Sequence, residues 1–467
     1  MSNRGKKSGF VQLLVAGGVS TLILASGIMG YGSSLLSAAH GTHAYGSVSS
    51  QIAMLNRTGE ANQDPSTEGQ GPSDPIVDYK AALDVLKHNY YGSTVDTKET
   101  RKLTYAAIRG MLGSLKDQFT SFLDPDEWAQ FHATTQGNFE GIGAFLEPDG
   151  LFVKVARPIE TGPAEKVGIK SDDVIVKVNH ESMKGKDINY VVHHIKGPRG
   201  TKVIIDVLRD NKPLEFTVTR ELVEPPIVHH WMEDSENKIG HIELDEFNEK
   251  SMEQLELAYD DLEKQGMKAL VFDLRSNPGG LLDVAIQVAS AFIPRDTDPS
   301  LNNAVVIIHD GNGREAARTL IGSDYTHKRI PLVVLVNDRS ASASEIVTAA
   351  IKDYGIGTIM GERTFGKGKV QTLYPLDDGS ALRLTTQLYY PPKHYDINFK
   401  HDDNGDRVPD TGGIVPDITV KPSPKWHTDD FKDKVNDLQL QKALVFLRAK
   451  LKGMDTAQAT AEVARTQ

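Results

Sequence analysis

The 467-residue chain has no cysteine. That absence excludes disulfides, thiolate metal sites and a cysteine nucleophile together. An exported chain without cysteine cannot misoxidise, so the absence is compatible with an envelope location without requiring it. Positive charge is also in deficit. Lysine and arginine number 52 against 63 acidic residues, a formal net charge of −11, which argues against nucleic acid as the main partner. A phosphate cradle is missing: Gly311 and Gly313 are followed by no Gly-Lys-Ser, and no dinucleotide fingerprint completes. The fifteen histidines, including the pairs His193-His194 and His229-His230, lie in no triad motif. The acidic run His401 to Asp406 lacks EF-hand spacing and its terminal glutamate, so it reads as a solvated loop. Neither a cofactor nor a metal is expected.

What is present begins with a leader. Arg4, Lys6 and Lys7 precede an apolar stretch from Phe10 to about Tyr31, and Ser37-Ala38-Ala39 suits cleavage. Residues 1–40 read as an export signal, or as a membrane anchor if uncut. Residues 41–74, rich in Gly, Ser, Gln, Asn and Pro, read as a disordered tether. Helical periodicity then starts at Pro75. Ile76, Tyr79, Leu83 and Leu86 share one face, and Leu103, Ala107, Met111 and Leu115 another, giving a helical region over 75–130.

Three later stretches carry chemistry. Lys268 to Leu274 is a buried strand ending in Arg275-Ser276-Asn277-Pro278-Gly279-Gly280, whose glycine pair permits backbone that other residues resist. Pro331 to Val336 is a second buried strand. Asn337-Asp338-Arg339 ends it, and Ser340-Ala341-Ser342-Ala343-Ser344-Glu345 leads into a helix running to about Asp353. A serine between strand end and helix start sits among unpaired amides that suit a developing oxyanion. After a strand from Gly357 to Gly361 comes Phe365-Gly366-Lys367-Gly368.

These motifs resemble those of the carboxy-terminal processing peptidases, or tail-specific proteases. In that family a serine in S-A-S-A-S-E and a lysine in F-G-K-G stand twenty-five positions apart, as Ser342 and Lys367 do. The resemblance covers roughly Ile76 to Val420. It implies Ser342 as nucleophile, with Ser340 and Ser344 as competitors in the same run, and Lys367 as base. Gln371 would orient the lysine. The oxyanion would be held by the amide of Ala343 and by Gly279 or Gly280. Asp353 is a candidate supporting acid. Gly413-Ile414-Val415-Pro416-Asp417 resembles the family's closing signature, whereas the acidic insert 401–410 departs from its pattern.

Between the helical region and these motifs, Gly141-Ile142-Gly143-Ala144 resembles a PDZ carboxylate-binding loop. Gly162 to Ile169, then Asp172 to Ile175, resemble the helix, turn and strand of that domain. A PDZ domain over 131–222 would hold a peptide tail by adding it as a strand to a sheet edge. The resemblance thus implies an α/β and β multidomain chain: a crotonase/ClpP-like ββα protease core over 223–423, an inserted PDZ domain and flanking helices. A helical tail over 424–467 would serve assembly, a route to a homo-oligomer. The expected activity is a serine endopeptidase of the bacterial cell envelope, periplasmic or extracytoplasmic, acting on proteins with exposed C-terminal tails. A noncatalytic PDZ scaffold and an envelope amidase or peptidoglycan hydrolase are the alternatives.

A lysine can replace histidine only when neutral. At an ordinary pKa of about 10.4, roughly one in 2,500 is neutral at pH 7. Making it neutral at that pH costs the ammonium roughly 4 kcal/mol, which burial can supply. Lys367 is therefore expected to be desolvated beside Ser342.

Overall fold

The structure, a computed structural model, describes residues 14–15, 74–91, 96–319, 327–402, 404–423 and 436–466. The leader and tether therefore lie outside the described residues, apart from Leu14, Val15 and Asp74. The chain divides into two units, Ile23–Gln118 and the remainder.

The smaller unit holds two helices, α1 (Pro75–Asn89) and α2 (Thr97–Gly113). Asp74 caps α1 through the Ile76 amide, with proline in the first turn, and Asp96 caps α2 through the Glu99 amide. No side chain of α1 is buried, and Ile76, Leu86, Leu103 and Met111 are exposed.

In the larger unit, β1 (Ser121–Leu123) precedes α3 (Pro125–Gln136), which starts at a reciprocal Asp124/Glu127 capping box and stops at Gly137, φ +71°. Residue 131, the expected first residue of the PDZ domain, thus falls inside a helix. After β2 (Phe139–Gly141), a five-strand antiparallel path runs β3 (Ala144–Asp149), β4 (Phe152–Pro158), β5 (Val174–Val178), β6 (Lys202–Arg209) and β7 (Lys212–Thr219). The helices α4 (Pro163–Lys166) and α5 (Ile188–Ile195) accompany it. Alternation along β4 and β6 buries Val153, Val155, Val203, Ile205 and Val207 in one core. The outer edge of β3 takes Leu14–Val15 as an antiparallel pair. Strand β8 (Glu221–Val223) returns to pair with β2.

The protease region is built on a sheet ordered β9 (Val228–Asp234), β10 (Ile239–Leu244), β11 (Ala269–Asp273), then β14 (Leu332–Val336), β15 (Thr358–Gly361) and β18 (Ile418–Thr419). All but β9 are parallel. Strands β10, β11, β14 and β15 are buried at every position, as a parallel sheet covered on both faces requires. Because the parallel strands follow one another in chain order, right-handed crossovers place α6 (Ser251–Lys264), α7 (Leu282–Phe292) and α8 (Ala343–Asp353) on the same face. That leaves the opposite face, with Ala269, Val271, Val333 and Leu335, open to another partner. The C-terminal helices α9 (Leu438–Leu451) and α10 (Thr456–Arg465) cover it with Leu440, Phe446, Leu447 and Val463. The tail read as an assembly element thus spends its apolar surface inside its own chain.

A second, antiparallel sheet orders β13 (Glu315–Thr319), β12 (Ala304–Asp310), β17 (Ala381–Tyr390) and β16 (Lys369–Pro375), with β1 also paired to β17.

Candidate active site

Three turns follow the carboxyl ends of β11, β14 and β15, where open parallel sheets gather their ligand sites. They carry Gly279-Gly280, Ser342 and Lys367 respectively.

Ser342 is the N-cap of α8, with φ 55° and ψ −113°. A side chain held there costs roughly 1–3 kcal/mol and persists only where its surroundings impose it. The imposing group is Glu345, fully buried, whose Oε2 accepts the Ser342 amide at 2.9 Å and the Lys367 amide at 2.8 Å. Its Oε1 accepts the Gly366 amide and the Thr364 hydroxyl, both at 2.6 Å. Burial pushes this carboxyl up from its ordinary pKa, and the four donors oppose that. One carboxylate oxygen thus brings the backbones of the serine and the lysine together.

Their carbonyls are joined as well. The hydroxyl of fully buried Tyr389, on β17, lies 3.0 Å from the Ser342 carbonyl oxygen and also donates to that of Lys367. Ser342 and Lys367 are therefore clamped at their N–H groups by Glu345 and at their C=O groups by Tyr389. Thr364 passes the clamp on to the closing signature, since its hydroxyl oxygen accepts the Ile414 amide at 2.6 Å.

The glycine turn is joined to the serine by Asn277, which is fully buried. Its side chain donates to the Leu244 carbonyl at 2.7 Å and accepts the Gly279 amide at 2.9 Å. Its carbonyl accepts the Ala341 amide and the Ser344 hydroxyl, each at 3.0 Å. Ser344 and Ser340 are both fully buried. Ser340 donates its hydroxyl to the Leu274 carbonyl at 2.7 Å. Of the three serines in the run, only Ser342 is partly exposed. Gly279, φ +99°, packs so closely that an added Cβ would meet Ser342 Cβ at 2.7 Å and the Ala343 nitrogen at 2.8 Å. At Gly280, φ +150°, a Cβ would strike the Phe247 carbonyl at 2.0 Å. The Gly279 amide is spent on Asn277. The amides of Gly280 and Ala343 make no hydrogen bond among the described residues.

Behind this turn lies a buried ion cluster. Arg275 pairs with Asp273 at 2.6 Å and with Asp437, the N-cap of α9, at 2.9 Å. The two carboxylates hold the guanidinium well above its ordinary pKa against the cost of burial. Beside it, Glu243 is pushed up to about 7 by burial and then by the charges of Asp273 and Asp245.

The lysine side is more open. Lys367 is half-buried rather than withdrawn from water, with Nζ 4.9 Å from the centre of the Phe119 ring. Lys369 approaches the same ring at 5.4 Å. Gln371 lies on β16 at a bulge, and its amide nitrogen donates to Thr385 Oγ1 at 3.4 Å. Asp353 accepts the Lys393 amide at 3.0 Å, tying the end of α8 to the turn after β17. The acidic insert is not a free loop: Arg407 donates to the Phe365 carbonyl at 2.6 Å and lies over the Phe365 and Phe399 rings at 5.0 and 4.7 Å. In the PDZ sheet, Ile142 and Ala144 are fully buried and Gly143 has φ +69°. The Gly143 carbonyl accepts from Ile159 at 2.9 Å, and that of Ile142 from Ala164 at 2.7 Å.

The roles of Glu345, Asn277, Tyr389, Thr364 and Phe119 do not follow from the sequence motifs alone. Glu345 and Asn277 stand inside the quoted motifs, and a lone acid in a run of small residues was the available signal. Tyr389 reads as an ordinary strand residue.

The profile of peptidase family S41 matches residues 238–420, and a PDZ profile matches residues 154–209. A probable CtpA-like serine protease of Staphylococcus aureus (strain N315) is 32% identical over 397 residues, covering 85% of this chain and 72% of that protein. Its counterpart in Staphylococcus epidermidis (strain ATCC 35984) is 32% identical over 343 residues, covering 73% of this chain and 65% of that one. Among solved structures, the photosystem II D1 C-terminal processing protease is 30% identical, covers 73% of this chain and 86% of its own, and gives a TM-score of 0.41. The chain belongs to peptidase family S41, as a CtpA-like serine protease with a PDZ domain.

Proposed function

We propose that the protein is a serine endopeptidase of the bacterial envelope that cuts proteins near their C-termini, with Ser342 as nucleophile and Lys367 as general base. The observation that carries this reading is the shared clamp of Glu345 and Tyr389 on both residues. Such a clamp fixes a serine–lysine pair through backbone groups rather than through the two reacting side chains.

The neutral Lys367 amine takes the Ser342 Oγ proton as the oxygen attacks the scissile carbonyl. The tetrahedral oxyanion sits between the amides of Ala343 and Gly280, which make no hydrogen bond among the described residues. Gly279 is the weaker candidate because Asn277 already takes its amide. The lysine then returns the proton to the departing amine, and water, activated by the same amine, releases the acyl group. Gln371 orients the lysine through its amide oxygen, since its nitrogen is engaged with Thr385. A carboxylate there would stabilise the ammonium and oppose catalysis. The Phe119 face also favours the ammonium. The reactive state therefore has Lys367 moved off that ring toward Ser342. The PDZ domain takes the substrate tail as a strand on the β3 edge, with its carboxylate at Gly141 to Ala144, and delivers upstream chain to Ser342. That edge already accommodates Leu14–Val15.

A quenched peptide with a free C-terminus tests this against the scaffold and amidase readings. Ser342→Ala and Lys367→Ala should each abolish cleavage without unfolding the protein. Cleavage surviving Lys367→Met, or appearing only near pH 10, would remove the lysine from the base role.

A further inference from the structure

We propose that His309, Glu315 and His394 form a binding site for one divalent cation of the zinc class, where the β12–β13 hairpin meets the turn after β17. Three atoms converge there. His309 Nε2 and His394 Nε2 stand 3.0 Å apart, and Glu315 Oε2 lies 3.6 Å from the first and 3.8 Å from the second. The point equidistant from all three is about 2.0 Å from each, the bond length zinc makes to imidazole nitrogen and carboxylate oxygen. Hydrogen bonding alone accounts poorly for the triangle. Two facing Nε2 atoms share at most one proton, and the carboxylate oxygen lies beyond hydrogen-bond reach of both rings.

The fold holds each donor in place. His309 and Glu315 are direct cross-strand partners in the register of β12 and β13. Their connecting turn is fixed by Asp310, whose carboxylate accepts the amides of Asn312 and Arg314, each at 2.9 Å. His394 sits at φ +57° in a turn closed by its own amide to the Pro391 carbonyl at 2.8 Å. Both imidazoles lean on the Tyr390 ring, at 4.6 and 4.9 Å between centroids. Three protein ligands leave a fourth position open to water. Two imidazoles with one carboxylate favour zinc and its neighbours over magnesium or calcium. The donors are partly exposed, so an ion can reach them. Tyr390 adjoins Tyr389, so a bound ion would pin the end of the strand that clamps the catalytic pair.

Titration of tag-free full-length protein with Zn2+ against a chromophoric chelator decides the matter, with Co2+ as a spectroscopic substitute. The wild type should bind one equivalent that His309→Ala/His394→Ala loses, its affinity falling at least a hundredfold. Glu315→Gln should weaken it by at least about tenfold, since loss of even an outer-shell partner costs that much. Co2+ should give visible bands of four-coordinate geometry in the wild type and none in the double variant. In chelator, the variants should melt like the wild type and still cut peptide. No stoichiometric binding by the wild type, or equal binding by the double variant, would overturn the proposal and leave the rings as a proton-sharing pair.

Discussion

The two sides of the catalytic centre are held differently. The serine side is bound from within: Asn277, Ser340 and Ser344 are fully buried, and their bonds link β10, the glycine turn and the serine loop. On the lysine side, the F-G-K-G backbone is held from within by Glu345, Tyr389 and the Phe365 amide on the Ser340 carbonyl at 3.0 Å, but surface groups bear on it as well. Arg407 is exposed and grips it from an insert, and the amine rests on Phe119. Under the proposed roles, oxyanion stabilisation needs donors that do not reorganise, whereas a general base has to change charge and partner. Rigidity therefore sits with the serine, and adjustability with the lysine.

The bridge between the sides should be the most damaging place to cut. Glu345→Gln keeps the shape but turns one acceptor into a donor facing amides. It should lower kcat by more than about 10²-fold, since displacements near 1 Å cost that much. A kcat within threefold of wild type would deny that the shared carboxylate matters. On the serine side, Asn277→Ala should reduce kcat by about 10²-fold and also lower the melting temperature, because each buried group left unpaired costs about 1–3 kcal/mol. On the lysine side, Arg407→Ala should cost roughly five- to tenfold in kcat, within the range of exposed contacts of about 1 kcal/mol, with the melting temperature nearly unchanged. If Arg407→Ala destabilised the fold as much as Asn277→Ala, the contrast between the sides would disappear.

Smallest in activity is Glu243, which lies behind the glycine turn. Its folded pKa, about 7, exceeds the ordinary 4.5, so the folded state binds the proton more tightly than the unfolded chain. Stability from this group is then fully present below about pH 4.5 and is lost as pH rises toward 7. Glu243→Gln should raise the unfolding free energy at pH 8, by up to roughly 3 kcal/mol, and leave pH 4 nearly unaffected. Denaturant melts at the two pH values measure this, and an equal change at both would show that the charge is not the cause.

Much of the core was legible because buried parallel strands write continuous apolar runs closed by glycine or asparagine turns. Lys268 to Leu274 and Pro331 to Val336 are of that kind, and both lie in the central sheet. The S-A-S-A-S-E and F-G-K-G motifs pointed to Ser342 and Lys367 through their resemblance, at the same spacing, to those of the tail-specific proteases. The clamp was not legible. Glu345 meets Thr364, Gly366 and Lys367 only after an intervening helix and strand, and Tyr389 sits in an alternating strand that any sheet could use. The destination of α9 was hidden for a similar reason: an apolar stripe records that a helix is covered, not by what. Arg407 was hidden by its acidic neighbours, which read as solvated.

One feature bears on how the enzyme comes into being. Arg275, at the base of the glycine turn, takes its second carboxylate from Asp437, 162 positions further along the chain. During synthesis the glycine turn, Ser342 and Lys367 all emerge before that partner does. The ion pair behind the glycine turn therefore closes only after those three segments have been made.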